Sequence, residues 1–318
     1  MARKTLVYFV SDLHGSSLCF RKFVNSTKVY KPTVLILGGD LAGKAIQSII
    51  KAPHNRYVCE FVGTRYDISD EDELRNLEKL IADHGYYPYR AEPGELEAME
   101  ASKTLDDLFG KLMRERLAEW LDIADTRLRP QNVPLFFMLG NDDPPELAAL
   151  LDQAPWGTHA EGKVVHLDDD HEMISWGYAN TTPWHTYREQ NEQQLAEAYE
   201  SMAKRLDRPE RAVFNLHPPP YATQLDDAPA LDDELRVQAT LGQVQYKPVG
   251  STAVKDIETR YQPLLGLHGH IHESSGIRRL GPRKSMVINP GSDYSTGALN
   301  GALITLDRDK AGAQLVRG

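Results

Sequence analysis

The sequence predicts an α/β fold, and three observations carry the prediction. Short apolar runs without polar alternation recur along the chain, as expected of strands covered on both faces. Helix-period segments lie between them. The 318 residues are 41% hydrophobic and 26% charged, an ordinary globular mix with length enough for a large buried core.

The elements read in order as follows. Thr5–Val10 is an apolar, β-branched and aromatic run that stops at Ser11-Asp12-Leu13-His14-Gly15. Residues 16–28 form a helix, and residues 33–37 a second strand ending at Gly38-Gly39-Asp40. Residues 55–64 read as a short β ribbon. Residues 70–84 read as a helix with Leu74, Leu77, Leu80 and Ile81 on one face and Gly85 as its stop. Residues 95–126 form a longer acidic helix, or two, with Leu105, Leu108, Leu112 and Trp120 as an apolar stripe that packs on the sheet as a cap. A third strand, 133–139, ends at Gly140-Asn141-Asp142-Asp143. Residues 163–167 and 171–178 make a hairpin around Asp168-Asp169-Asp170, which reads as a solvated turn. A helix is expected from Pro183 to Arg205. Strands at 212–216 and 263–267 end at His217 and at His268-Gly269-His270-Ile271-His272. Residues 222–260 look irregular, and the tail is β structure over 285–289, 302–307 and 313–317. No internal repeat is visible. The expectation is one domain over residues 1–318 with a helical insertion at about 65–131.

Charge and cysteine content narrow the function. Lys and Arg number 36 against 46 Asp and Glu, a formal net charge of −10. A protein that coats nucleic acid needs a basic face, so that class is disfavoured. A nuclease is not, because bound metal ions can recruit phosphate by themselves. Cys19 and Cys59 are too few for a disulfide framework and read as small buried hydrophobes. No run approaches 18 apolar residues, and the run at 6–10 is too short for a signal-peptide core. The expected protein is soluble and cytoplasmic, without membrane contact and with an open oligomeric state.

The chemistry sits at the carboxyl ends of the strands, where open α/β sheets bind ligands. The clusters contain Asp12, His14, Asp40, Asn141, His217, His270 and His272. All offer oxygen or imidazole nitrogen and none a thiolate, which suits Mn, Fe, Zn, Co or Ni over copper(I) or an iron–sulfur cluster. Seven ligands are too many for one ion and about right for two, if one carboxylate bridges. A pair of ions can clamp both oxygens of an in-line phosphoryl displacement.

In order, Asp12-x-His14, Gly39-Asp40, Gly140-Asn141, His217 and Gly269-His270-x-His272 resemble the pattern of the calcineurin-like metallophosphoesterases. Each motif alone is weak; five in order, each after an apolar strand, are specific. The resemblance runs from residue 5 to about 292 and says little about 55–130 and 222–260. It implies a four-layer α/β/β/α sandwich of two mixed sheets. It implies that Asp12, His14 and His272 hold one divalent metal ion (Mn, Fe, Zn or Ni), that Asn141, His217 and His270 hold a second, and that Asp40 bridges both. The implied reaction is hydrolysis of a phosphoester, most of all a phosphodiester of a small molecule, by a hydroxide between the ions. The run 287–292 resembles the late strand and turn of that fold, with Ser292 at a structural turn near the site.

One departure stands out. Many members carry His after the Gly-Asn, where it assists the leaving group; here the position is Asp142, followed by Asp143. An ionised carboxylate cannot donate a hydrogen bond. Three outcomes stay open: another donor, a demand for good leaving groups, or loss of hydrolysis. His185 and His54 are the substitute candidates, His268 neighbours the ligands, and His84, His159, His166 and His171 receive no role. A metal-bound scaffold or phosphate-binding protein with little catalysis is the alternative from another class, and a nuclease is the third reading, its basic feature being Arg278, Arg279, Arg283 and Lys284. That cluster also reads as a solvated hairpin. Residues 38–45, Gly-Gly-Asp-Leu-Ala-Gly-Lys-Ala, nearly match a phosphate-binding P-loop, but Ala45 lacks the hydroxyl that would meet magnesium and Asp40 would point a carboxylate at phosphate. His217-Pro-Pro-Pro reads as a rigid turn.

Overall fold

The computed structural model of the chain describes residues 4–232 and 234–318. Twelve strands build its two main sheets: β1 Thr5–Val10, β2 Val34–Leu37, β3 Leu135–Phe137, β4 Thr158–His159, β5 Val164–His166, β6 Glu172–Trp176, β7 Val213–Leu216, β8 Leu265–Leu267, β9 Gly276–Leu280, β10 Ser285–Asn289, β11 Asn300–Asp307 and β12 Lys310–Arg317. The first sheet has the order β12-β11-β1-β2-β3-β4, the second β9-β10-β8-β7-β6-β5. In the first, β1 to β4 are parallel and β11 and β12 antiparallel. In the second, β10, β8, β7 and β6 are parallel, with antiparallel β9 and β5 at the edges.

Side-chain alternation then sets four layers. From β1, Val7 and Phe9 face the second sheet, where they meet the cluster of Val213, Leu265, Leu267, Met286 and Ile288. Tyr8 and Val10 face the other way, onto the helices α1 Ser17–Val29 and α4 Leu105–Leu128, through Phe20, Phe23, Leu117 and Trp120. Phe20 and Trp120 stack with their ring centroids 4.4 Å apart. Beyond the second sheet, Ile174, Phe214 and Leu216 pack on α6 Glu192–Ala203 and α7 Thr252–Tyr261 through Leu195, Tyr199, Val254 and Ile257. Strands buried on both faces need apolar residues at every position, which is why they read as continuous runs. Each such side chain contributes about 1.5–3 kcal/mol on burial. The chain is thus the expected four-layer α/β/β/α sandwich with two mixed sheets.

Between β2 and β3 the chain is richer than a helical insertion over 65–131. A four-stranded sheet of Ile46–Ala52, Arg56–Phe61, Thr64–Ile68 and Tyr87–Ala91 precedes and flanks the helices α2 Glu71–Asp83 and α3 Glu95–Ser102. It has its own core of Ile49, Cys59, Phe61, Ile68, Leu74, Leu77 and Ile81. Leu80, expected on the buried face, is 36% exposed. The stripe of α4 also shifts: Met113, Leu117, Trp120, Leu121, Ala124 and Leu128 are buried, whereas Leu105, Leu108 and Leu112 are half-buried.

Two further expectations are corrected. The helix expected from Pro183 begins at Glu192, because Asn191 and Gln194 form a reciprocal capping box there. The preceding residues fold into a turn around Glu189, which accepts hydrogen bonds from Thr182 and Thr186. Residues 222–260 are not irregular throughout. Helix α7 starts after Ser251, whose hydroxyl accepts from Val254 N, and two ribbons pair Asp227–Pro229 with Tyr246–Pro248 and Ala239–Thr240 with Gln243–Val244. The short helix α5, Ala148–Asp152, follows β3.

Candidate metal centre

The strand ends of β1, β2, β3, β7 and β8 converge between the two sheets, and all seven sequence-predicted ligand residues meet there. Ligand-type atoms of Asp12, His14, Asp40 and His272 lie within 4.8 Å of one another, as do those of Asp40, His217 and His270. Asp40 belongs to both groups. His14 Nε2 is 3.0 Å from His272 Nε2 and 3.6 Å from Asp40 Oδ2. His217 Nε2 is 3.3 Å from Asp40 Oδ2 and 3.0 Å from Asn141 Oδ1. Asn141 Oδ1 is also 2.7 Å from His270 Nδ1.

The backbone is bent to bring these groups in. Asp12, His14, Asp40 and His270 have φ of 59°, 40°, 51° and 67°. Such left-handed conformations in non-glycine residues cost of order 1–3 kcal/mol each and cluster at functional sites. They persist here because the loops are zipped together: Asp12 N donates to Gly39 O, His14 N to Asp40 O and Gly15 N to Leu41 O. The glycines before two ligands permit close approach. A Cβ on Gly140 would lie 2.1 Å from Asp40 Oδ1, and one on Gly269 would lie 2.3 Å from Asp12 Oδ2.

Further hydrogen bonds orient the ligand atoms. His217 Nδ1 faces Gly38 O at 2.9 Å, which turns Nε2 toward Asp40. Asn141 donates through Nδ2 to Asp142 Oδ1 and Thr186 Oγ1, so its Oδ1 turns toward the two histidines. His270 N donates to Asp12 Oδ1, Asp142 N to Asp40 Oδ1, and Ser292 Oγ to Asp12 O.

Burial and the facing carboxylates push the imidazoles in opposite directions. Burial pushes the His14 imidazole down to about 3. Burial, aided by His217, pushes His270 down to about 4, so both stay neutral with a lone pair to share. Burial opposes charge on His217, but Asp40, Asp12 and Gly38 O outweigh it and push its pKa up to about 9. Burial would raise Asp12, yet the hydrogen bond from His272 and the charges of His217, His272 and His14 hold it far below the carboxylate range. His14 Nδ1 is buried without a hydrogen-bond partner. Two carboxylates, four imidazoles and an amide oxygen, buried together, make a nitrogen and oxygen donor set suited to two divalent transition-metal ions.

Several contributors were not read from the sequence. Asp143, fully buried, accepts from Gly140 N, Leu41 N and Ala42 N and so ties two ligand loops together. Its carboxyl is pushed up to about 7 by burial and by Asp40. Lys44 pairs with Asp142 at 2.7 Å, and Tyr294 packs on His14 at 4.7 Å between ring centroids. Tyr87 and Arg116, from the segment between β2 and β3, bond to Gly43 N and Gly15 O. The only local sign of Asp143 was its place directly after the Gly-Asn-Asp run. His185 lies on an exposed turn with φ 50°, beside Thr186, and its ring forms no hydrogen bond among the described residues. His54 sits on an exposed hairpin turn at the far end of the strand Ile46–Ala52. His268 is buried, with Nδ1 on Leu216 O and Nε2 3.4 Å from Glu258. Residues 38–45 lead into a strand, where a P-loop needs a helix.

The layered sheets, with the site at their strand ends, have the four-layer arrangement that the resemblance of the motifs to the calcineurin-like metallophosphoesterases implies. No family model matches the sequence, and no curated protein matches it in sequence. Among solved structures, one is similar with a TM-score of 0.57 at 14% identity, over 98% of this chain and 99% of the other. TT1561 of Thermus thermophilus is similar with a TM-score of 0.53 at 14% identity, over the same shares. At these identities the likeness is one of fold. Among the described residues no helix is long and apolar enough to cross a membrane.

Proposed function

We propose that the protein is a dinuclear metal-dependent phosphoesterase acting on phosphodiesters of small molecules. The observation that carries this reading is Asp40, whose carboxylate is shared by two groups of ligand-type atoms. In this reading Asp12, His14 and His272 would hold one ion, Asn141, His217 and His270 would hold the other, and Asp40 would be shared by both. When bound, two divalent cations neutralise the phosphoryl oxygens and supply a hydroxide at neutral pH. The chain's own residues then align the phosphate at the open side of the cluster, where His272 is 25% exposed while Asp12, His14 and His217 are closed off. Asp142, next to the ligands, is paired with the Lys44 ammonium at 2.7 Å.

The test is a substrate panel on metal-stripped protein reloaded separately with Mn, Zn, Fe and Ni. Metal-dependent turnover of diesters above monoesters is the expected result. Tight binding of inorganic phosphate without turnover of any ester would replace this reading with a phosphate-binding scaffold. A salt-sensitive affinity for DNA with cleavage would replace it with a nuclease.

A further inference from the structure

Lys44 belongs to the segment that imitates a P-loop, and no role falls to it there. Its Nζ lies 2.7 Å from Asp142 Oδ2. That same oxygen is 3.9 Å from His14 Nδ1. The other carboxylate oxygen accepts from Asn141 Nδ2 at 2.9 Å, and Asp142 N donates to Asp40 Oδ1 at 2.9 Å. Asp142 is therefore held by two proposed ligand residues, Asn141 and Asp40, and it holds the ammonium beside them. The Lys44 side chain is 50% exposed, against 17% for Asp142. The ammonium thus stands at the solvent edge of the cluster, where a substrate has to enter.

The backbone leading to it is fixed as well. The N–H groups of Leu41 and Ala42 are bound by Asp143, and that of Gly43 by Tyr87 Oη at 2.8 Å. Three consecutive amides anchored by side chains give Lys44 a defined starting point. A group held this way meets a developing charge without reorganisation.

We infer that Lys44 supplies the hydrogen-bond donor for the leaving oxygen, with Asp142 as its positioning residue. This rests on the phosphoesterase reading. Asp142 itself has only acceptors, whereas an ammonium has three donors. In the step, hydroxide oxygen forms a new bond to phosphorus. The P–O bond to the leaving group breaks, and its electron pair stays on the leaving oxygen. An alkoxide, more basic than an amine, takes a proton from Lys44, which regains it from solvent. A nitrophenolate, less basic than an amine, leaves as the anion with only the hydrogen bond.

The experiment compares kcat/KM for a series of nitrophenyl and alkyl phosphodiesters in the wild type, Lys44→Met, Lys44→Arg, Asp142→Asn and His185→Ala, all with metal content measured. Expected for Lys44→Met is a loss of about 10²-fold or more on alkyl esters, within the range of general acid help, and a loss under about tenfold on nitrophenyl esters. The dependence on leaving-group basicity steepens, while metal content holds at the wild-type value. Lys44→Arg restores part of the alkyl rate, and Asp142→Asn shifts the slope the same way as Lys44→Met by less. Equal losses on all esters would overturn the inference and make Lys44 a binder of the non-bridging oxygens. A steepened slope in His185→Ala alone would move the role to His185. Both of these leave the phosphoesterase reading intact, whereas absence of turnover in the wild type with every metal overturns that reading and the inference with it.

Discussion

The carboxylate of Asp143 lies 2.7 Å from the backbone nitrogen of Ala42, joining the loop after β3 to the loop after β2. It accepts from Leu41 N and Gly140 N as well, so three buried amides depend on one side chain. Each buried donor left unpaired costs about 1–3 kcal/mol. Asp143→Ala is therefore expected to destabilise the fold by about 3 kcal/mol or more and to lower metal content at limiting metal. Chemical denaturation and elemental analysis check it; wild-type values for both would show that the loops hold each other without Asp143.

Gly140 is required by contact. Its added Cβ would meet Asp40 Oδ1 at 2.1 Å, so Gly140→Ala has to push Asp40 away from both ligand groups. The expected outcome is loss of metal binding well beyond any loss of stability. Gly312→Ala is the control, since nothing lies within 4 Å of its added Cβ. Equal metal content in the two variants would place the shared carboxylate elsewhere.

Ligand removal is expected to be unequal. Asp40→Asn alters the atom common to both groups, whereas His272→Ala alters one group alone. Elemental analysis should give close to no metal for the first and one ion for the second. Metal binds the folded chain and so raises its stability by mass action. Added Mn should raise the thermal midpoint of the wild type and leave that of Asp40→Asn nearly unchanged. Two ions in Asp40→Asn would rule out bridging.

Asp168 ties the two sheets together at a distance from the site. It accepts from Asp170 N and His171 N in its own turn, pairs with His171 Nδ1 at 2.8 Å, and receives the Thr5 hydroxyl from β1. His171 Nε2 in turn lies 3.0 Å from Arg308 O, in the turn between β11 and β12. Partial burial would raise the Asp168 pKa, but the hydrogen bonds of His171, Thr5 and Asp170 hold it at about 2, against 3.8 when unfolded. A depressed carboxylate pKa adds stability above the unfolded value and loses it as pH falls through the folded one. Asp168→Asn should therefore cost about 2 kcal/mol at pH 7 and about 1 kcal/mol at pH 3. Urea unfolding of both proteins at the two pH values measures this, and a penalty that does not shrink with acid would refute the assignment.

Much of the fold was legible because burial on both faces leaves a local mark. Val7 to Val10, Val34 to Leu37 and Val213 to Leu216 are apolar or nearly so at successive positions, and no surface strand needs that. The helix starts were less legible. Pro183 has the character of a first-turn residue, while the actual start follows from Asn191 and Gln194 and from a turn gathered by Glu189, with Arg188 paired to Glu161. The sheet between β2 and β3 was only half visible, because its strands are covered on one face and carry polar residues on the other.

The seven candidate ligands could be named from sequence because each stands in the loop that follows an apolar strand and offers an oxygen or imidazole nitrogen donor. Sequence by itself determined which residue types are offered and the order in which the chain offers them. Only the tertiary structure decided that Asp40 stands between both groups, that Asp143 clasps two loops 102 residues apart in sequence, and that Lys44 lies on Asp142. Those relationships depend on which loops the sheets place side by side. Strand order and the bent backbones at Asp12, His14, Asp40 and His270 set that placement, and both come from packing of the whole chain, which no local run of residues records.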